Sequence, residues 1–202
     1  GWADLLYKLK VTYNSQKAIN LAEEVMHFIQ DEARKASIEL AEQKGVFPFF
    51  EKSIYKDLGV RVRNATTTTI APTGTLSIIA GCSSGIEPLF AISYIRNVMD
   101  NDELIEVNPV FKEVALKGFY SDDLMRRIAK EGTIKDFGEI PGHIQEVFVT
   151  AHDIMPEWHV KMQASFQKYT DNAVSKTVNL SHDATRDDVK AVFELAYRTY
   201  CK

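Results

Sequence analysis

The chain has 202 residues, with 24 Lys plus Arg against 28 Asp plus Glu (formal net charge −4), 45% hydrophobic residues, 10 Gly and 6 Pro. These values exclude a disordered tail, collagen-like sequence and low-complexity sequence, and the mild acidity argues against general binding of nucleic acid while leaving a local anion site open. The two cysteines, Cys82 and Cys201, are too few for a disulfide framework and point to a reducing, cytoplasmic setting, and no run reaches the ~18 apolar residues of a membrane span.

The opening Gly1-Trp2-Ala3-Asp4 has neither an initiator Met nor a signal-peptide layout, and the end at Cys201-Lys202 follows directly on a helical pattern. A piece of a longer chain is therefore expected, forming one continuous region over 1–202 without repeat or linker. From Ser15 to Lys44, Ala18, Ala22, Val25, Ile29, Ala33, Ala36 and Leu40 recur at spacings of three and four. That pattern predicts a helix capped by Asn14 or Ser15 and stopped by Gly45, either long or broken near Asp31. Phe47-Pro48-Phe49-Phe50 then reads as an apolar turn plugging back into the core.

Ala65 to Ile70 reads Ala-Thr-Thr-Thr-Thr-Ile, whose β-branched residues predict a strand covered on both faces, as in parallel sheets. Further strands are predicted at Phe90–Asn97, Val147–His152 and Ala173–Leu180. Helices are predicted at Ser121–Lys130, Pro156–Tyr169 and Thr185–Tyr200, the last with a Thr-x-x-Asp start and Val189, Val192, Phe193 and Ala196 as its inner face. Strands alternating with helices predict an α/β fold with largely parallel pairing.

The most informative segment runs from Asn64 to Pro88. A strand meets Pro72, which has no N–H and ends the ladder; Thr73-Gly74-Thr75-Leu76-Ser77 follows, and then apolar Ile78-Ile79-Ala80. A strand ending in hydroxyl residues and Gly before a helix suits an anion. Gly74 admits a ligand to the backbone, the first-turn N–H groups point outward, and Thr73, Thr75 and Ser77 can each donate an O–H. The loop contains no Lys or Arg and is neither a Walker A loop nor a Gly-x-Gly-x-x-Gly turn. Turn chemistry alone favours an ordinary strand-to-helix connection over an anion site.

Ala71-Pro72-Thr73-Gly74-Thr75, followed by Gly81-Cys82-Ser83-Ser84-Gly85-Ile86-Glu87-Pro88, resembles the large catalytic chain of ribonucleotide reductases. The likeness extends to Gly1–Asp4, to Ala36–Ala41 with Gly45–Pro48, to His159–Ala164 and to Asp171–Asn179. Thr-Gly-Thr in the loop is most similar to the adenosylcobalamin-dependent (class II) branch, since the oxygen-dependent class typically has a Ser-Glu-Thr-Ser type of loop. The resemblance implies the C-terminal portion of a ten-stranded α/β barrel, with Pro72, Thr73, Gly74, Thr75, Leu76 and Ser77 binding the phosphates of a ribonucleoside di- or triphosphate. For the parent enzyme it implies thiyl-radical reduction of ribonucleotides to deoxyribonucleotides, adenosylcobalamin as cofactor and a thiol reductant such as thioredoxin. The open edges of a cut barrel invite self-association, which leaves a homo-oligomer open.

The family's finger-loop motif Asn-x-Cys-x-Glu is absent, and its chemistry needs three cysteines where this chain has two. No catalytic residue is therefore expected in this chain, which alone should not be a competent reductase. A non-catalytic nucleotide-phosphate-binding α/β module and another phosphate-binding barrel enzyme are the competing readings. Cys82 is expected as a small buried residue. His152 and His159, seven apart, with Asp153 and Glu157 nearby, make a poor metal set. Glu87 is read as structural or cavity-facing, Lys176 as undecided, and Trp2, Trp158, Tyr169, Tyr197 and Tyr200 as packing residues.

Overall fold

The structure is a computed structural model describing residues 1–97 and 103–202. Helix α1 (Trp2–Lys8) separates two cores because its apolar residues point two ways. Trp2 and Leu6 enter one core, while Ala3 and Tyr7, each one position on, enter the other. In the first core Trp2 meets Phe166 edge-on at 5.0 Å between ring centroids; in the second Tyr7 stacks on Phe148 at 4.5 Å.

Helix α2 (Gln16–Lys44) runs unbroken through Asp31 and is about 43 Å long at 1.5 Å per residue. Ser15 caps it, its Oγ accepting from the Ala18 N–H at 3.2 Å, and Gly45 ends it at φ +75°. Its buried residues are Ala18, Ile19, Ala22, Met26, Ser37 and Ala41, so the stripe read from the sequence drifts by one position along the helix. Ile29 and Ala36 are exposed. The small side chains let α2 lie against α8 (Pro156–Gln167). In the turn after α2, Phe50 alone is buried, closing the 3-10 turn Phe50–Lys52; Phe49 is exposed. A one-turn helix, α3 (Ile54–Asp57), follows.

The segments 65–70 and 173–180 lie side by side and parallel, but they share a single bridge, Ile70 with Val174. The Asn172 N–H donates to the Thr68 carbonyl at 3.1 Å and the Ser175 N–H to the Ile70 carbonyl at 2.8 Å. These two predicted strands are extended segments rather than a ladder. After α4 (Gly74–Ala80), the regular sheet among the described residues is β1 (Ser93–Asn97) with β2 (Glu103–Val107), Ser93 facing Val107. It is antiparallel, which corrects the expected parallel pairing of 90–97. The five residues between the two strands are too few for a parallel crossover.

Asn108 accepts from the Phe111 N–H at 3.0 Å and starts α5 (Pro109–Ala115), a helix the sequence reading missed. Helix α6 (Asp122–Glu131) keeps its Ser121 cap and its Gly132 stop and covers β1. The predicted strand 147–152 is not one. Helix α7 (Gly142–Val147) runs into it, and the Asp153 carboxylate then folds the chain by accepting from the Thr150 N–H at 2.7 Å and its hydroxyl at 2.8 Å. Helix α9 (Arg186–Arg198) has the Thr185/Asp188 capping box but no buried residue. Of its expected inner face Val192 and Ala196 are half-buried while Val189 and Phe193 are exposed, Phe193 at 71%, and Tyr197 and Tyr200, expected to pack, are exposed as well. No helix among the described residues is long and apolar enough to cross a membrane.

Candidate functional site

The extended segment carrying Ile70 ends at Pro72, and Thr73 turns the chain in the left-handed region at φ +54°, ψ 27°. A β-branched residue held there costs about 1–2 kcal/mol, so the surrounding structure must enforce it. Thr73 precedes α4, and its carbonyl accepts from the Ser77 N–H at 2.8 Å. Its side chain makes no cap, so the N–H groups of Gly74, Thr75 and Leu76 open outward together with the positive end of the helix. Gly74 is exposed, and nothing lies within 4 Å of where a Cβ would stand. Thr75 and Leu76 are exposed, Thr73 and Ser77 half-buried. The Ser77 hydroxyl differs from expectation: it donates back to the Gly74 carbonyl at 2.7 Å, and Thr73 Oγ1 lies toward Gly85, which leaves Thr75 as the exposed alcohol of the loop.

Behind this loop the return segment 82–88 is bonded from several sides. The Asp4 carboxylate, itself buried, accepts from the Ser83 N–H at 2.7 Å and from Asn108 Nδ2 at 2.9 Å. Buried Tyr13 donates to the Ile86 carbonyl at 2.8 Å, and the Trp2 N–H donates to the Gly85 carbonyl at 3.2 Å. The Ser84 hydroxyl donates to the Pro72 carbonyl at 2.6 Å. Gly85 has φ +49°, a conformation that favours glycine, and its Cα faces the loop: a Cβ there would stand 3.5 Å from the Ala71 carbonyl oxygen and 3.6 Å from Thr73 Oγ1, in ordinary contact. Cys82, expected to be buried, is exposed at the end of α4; Cys201 is half-buried, and burial raises its thiol pKa.

Glu87 joins this segment to the end of the 173–180 segment. Its Oε2 accepts from Lys176 Nζ at 2.6 Å and its Oε1 from the Thr177 N–H at 2.7 Å. Lys176 Nζ also donates to the Thr177 carbonyl at 2.5 Å and lies 2.9 Å from His159 Nδ1, and its side chain is fully buried. His159 is buried too, with Nε2 3.2 Å from the Ala151 carbonyl oxygen. The Nε2–H tautomer satisfies both contacts, leaving Nδ1 to accept from the ammonium. Burial, and then the Lys176 charge, push the His159 pKa down to about 4. Burial likewise lowers the Lys176 pKa, with Glu87 opposing it, and burial followed by the Glu87 charge raises that of Tyr13. The sequence left Lys176 undecided because its partner lies 89 positions away.

The other histidine of the sequence-read pair stands apart: His152 packs edge-on against Phe90 at 5.0 Å. No group of three metal-ligating side chains forms among the described residues. An open groove of about 580 Å³ lies elsewhere, between Tyr7, Lys8, Lys10, Lys117, His143 and Phe148.

Comparison with known proteins gives the family and the fold. The family described as "Ribonucleotide reductase, barrel domain" matches residues 1–62 and 59–202. The vitamin B12-dependent ribonucleoside-diphosphate reductase of Thermoplasma acidophilum is 51% identical, covering 100% of this chain and 26% of that protein. The protein of the same name in Mycobacterium tuberculosis H37Rv is 44% identical, covering 100% and 28%. The chain thus spans about a quarter of the length of these relatives. Among solved structures, the class Id ribonucleotide reductase alpha subunit of Actinobacillus ureae matches with a TM-score of 0.83 at 24% identity, over 100% of this chain and 36% of that one. That likeness shows the fold, and the mixture of helices and extended segments is consistent with part of an α/β barrel.

Proposed function

This chain belongs to the ribonucleotide reductase barrel family, and from that membership we propose that it is part of an enzyme reducing ribonucleotides to deoxyribonucleotides, in which Pro72–Ser77 grips the substrate's phosphates. The observation carrying the reading is the set of three outward N–H groups at Gly74, Thr75 and Leu76, aligned by left-handed Thr73. Phosphate oxygens would accept from these amides and from the Thr75 alcohol, with the helix dipole adding attraction. Hydrogen bonds to a charged group contribute about 1.5–3 kcal/mol each, so a few neutral donors suffice without a loop cation. Lys176 is not that cation, because it is buried and already paired with Glu87.

The relatives' names supply the rest of the reading. The parent acts on a ribonucleoside diphosphate (a triphosphate is the other substrate open to this loop) and uses adenosylcobalamin. When bound, that cofactor supplies the radical that starts thiyl chemistry. At this loop the chain offers no free imidazole for a cobalt ion, since His159 has both ring nitrogens engaged. In this reading the cobalamin's seat and the catalytic cysteines belong to the parent outside this chain. A thiol reductant such as thioredoxin, a homo-oligomeric parent and a cytoplasmic setting belong to the same proposal.

Calorimetric titration tests the grip. ADP should bind this chain more tightly than adenosine, and Gly74→Asp, which places a carboxylate in the open space before the amides, should abolish the difference. Equal affinities for ADP and adenosine would contradict the reading. Formation of deoxyribonucleotide by this chain with only adenosylcobalamin and a thiol would contradict the assignment of the catalytic cysteines elsewhere.

A further inference from the structure

Resting on the phosphate-grip reading, we propose that Glu87 and Lys176 are positioning residues that hold the Pro72–Ser77 loop in its binding shape through the Ser84–Gly85 turn. Ile70 and Val174 are bridge partners on parallel segments, so Pro72 and Lys176, each two residues further on, leave the pair at the same end. Lys176 does not turn outward there, as a lysine meant for an anion would. Its three ammonium N–H groups have three acceptors: Glu87 Oε2, His159 Nδ1 and the Thr177 carbonyl. Both Glu87 oxygens are also engaged.

A buried ion pair is a poor source of stability, because desolvation offsets the Coulomb attraction and an apolar pair often does as well. Its consequence here is geometric: Glu87 is fixed to the end of the 173–180 segment. The Glu87 N–H donates to the Ser84 carbonyl at 2.9 Å, closing a turn whose other members touch the loop. Ser84 donates to the Pro72 carbonyl, and the bare face of Gly85 lies against the Ala71 carbonyl and Thr73 Oγ1. The left-handed Thr73, strained on its own, is thus backed by a turn that the Glu87–Lys176 pair pins in place. Neither charged group needs to touch the ligand.

The experiment compares the ratio of ADP to adenosine affinity in this chain and in the variants Lys176→Met, Glu87→Gln and Ser84→Ala, with far-UV circular dichroism and a thermal midpoint for each. The expected result is a fall of about tenfold in the ratio for Lys176→Met and Glu87→Gln, as a misplaced binding group gives, with adenosine affinity nearly unchanged. Ser84→Ala should show a smaller fall. A purely structural role would lower the midpoint and weaken both ligands alike, leaving the ratio where it was. If Lys176→Met does not fold, Glu87→Gln and Ser84→Ala decide. An unchanged ratio in the folded variants, while Gly74→Asp still abolishes it, overturns the positioning role and leaves the phosphate grip standing. No preference for ADP in the unsubstituted chain overturns the grip itself, and this inference with it.

Discussion

Residues 72–77 and residues 82–88 are two turns in contact that use their polar groups in opposite ways. The first faces solvent with three N–H groups open and a Thr in the left-handed region. The second is half-buried over much of its length, and it is held by Asp4, Tyr13, Trp2, Lys176 and Thr177 from three separate parts of the chain. The contrast shows how a binding loop can be exposed and still well defined. Its shape is stored in the more heavily bonded neighbour, so damage to stability and damage to binding should fall on different residues.

The largest effect should come from removing the buried anchor of the second turn. Asp4→Ala leaves the Ser83 N–H and Asn108 Nδ2 without their acceptor, and chemical denaturation should show a loss of about 3–4 kcal/mol. Next is acid. The His159 pKa near 4 lies below the ordinary value of 6.5, so between those values the unfolded chain binds the extra proton. Stability from this group is complete above pH 6.5 and falls as pH drops toward 4, by on the order of 2–3 kcal/mol. His159→Gln, which keeps a donor and an acceptor, should flatten that part of the stability profile; an unchanged slope would mean that His159 does not titrate as described.

Gly85→Ala comes third. It places a side chain at φ +49° against the Ala71 carbonyl, costing about 1–2 kcal/mol in thermal unfolding and disturbing the loop in front. The smallest stability effect belongs to the first turn. Thr75→Val, at an exposed position, should change stability by no more than about 0.5 kcal/mol while weakening ADP binding. A variant that destabilised the chain without touching ADP affinity would reverse the comparison.

What was legible in the sequence was local. Ser15, Ser121 and Thr185 cap their helices as read, and Gly45 and Gly132 stop them, because a cap needs only residues three or four positions away. The turn after Pro72 was legible for the same reason, down to the helix that follows it. What escaped was what depends on distant partners. Lys176 gave no sign of Glu87, 89 positions back, and Ile70 gave no sign that it would share one bridge with Val174 in place of a ladder. Burial was the weakest inference. Cys82, Phe193, Tyr197 and Tyr200 have apolar character but face outward, because composition does not say which surfaces the rest of a fold will cover. The return turn's role was invisible as well: Ser83-Ser84-Gly85 carries no chemical motif, and its importance lies in where its hydroxyl and its missing side chain are placed.

The central claim is that the amides at the start of α4 receive phosphate. The most direct measurement is the amide nitrogen–proton correlation spectrum of the labelled chain during titration with ADP. The Gly74, Thr75 and Leu76 resonances should move first and furthest, and adenosine should leave them in place. Shifts confined to the groove between Tyr7, Lys10, Lys117 and Phe148, with Gly74 to Leu76 unmoved, would overturn it.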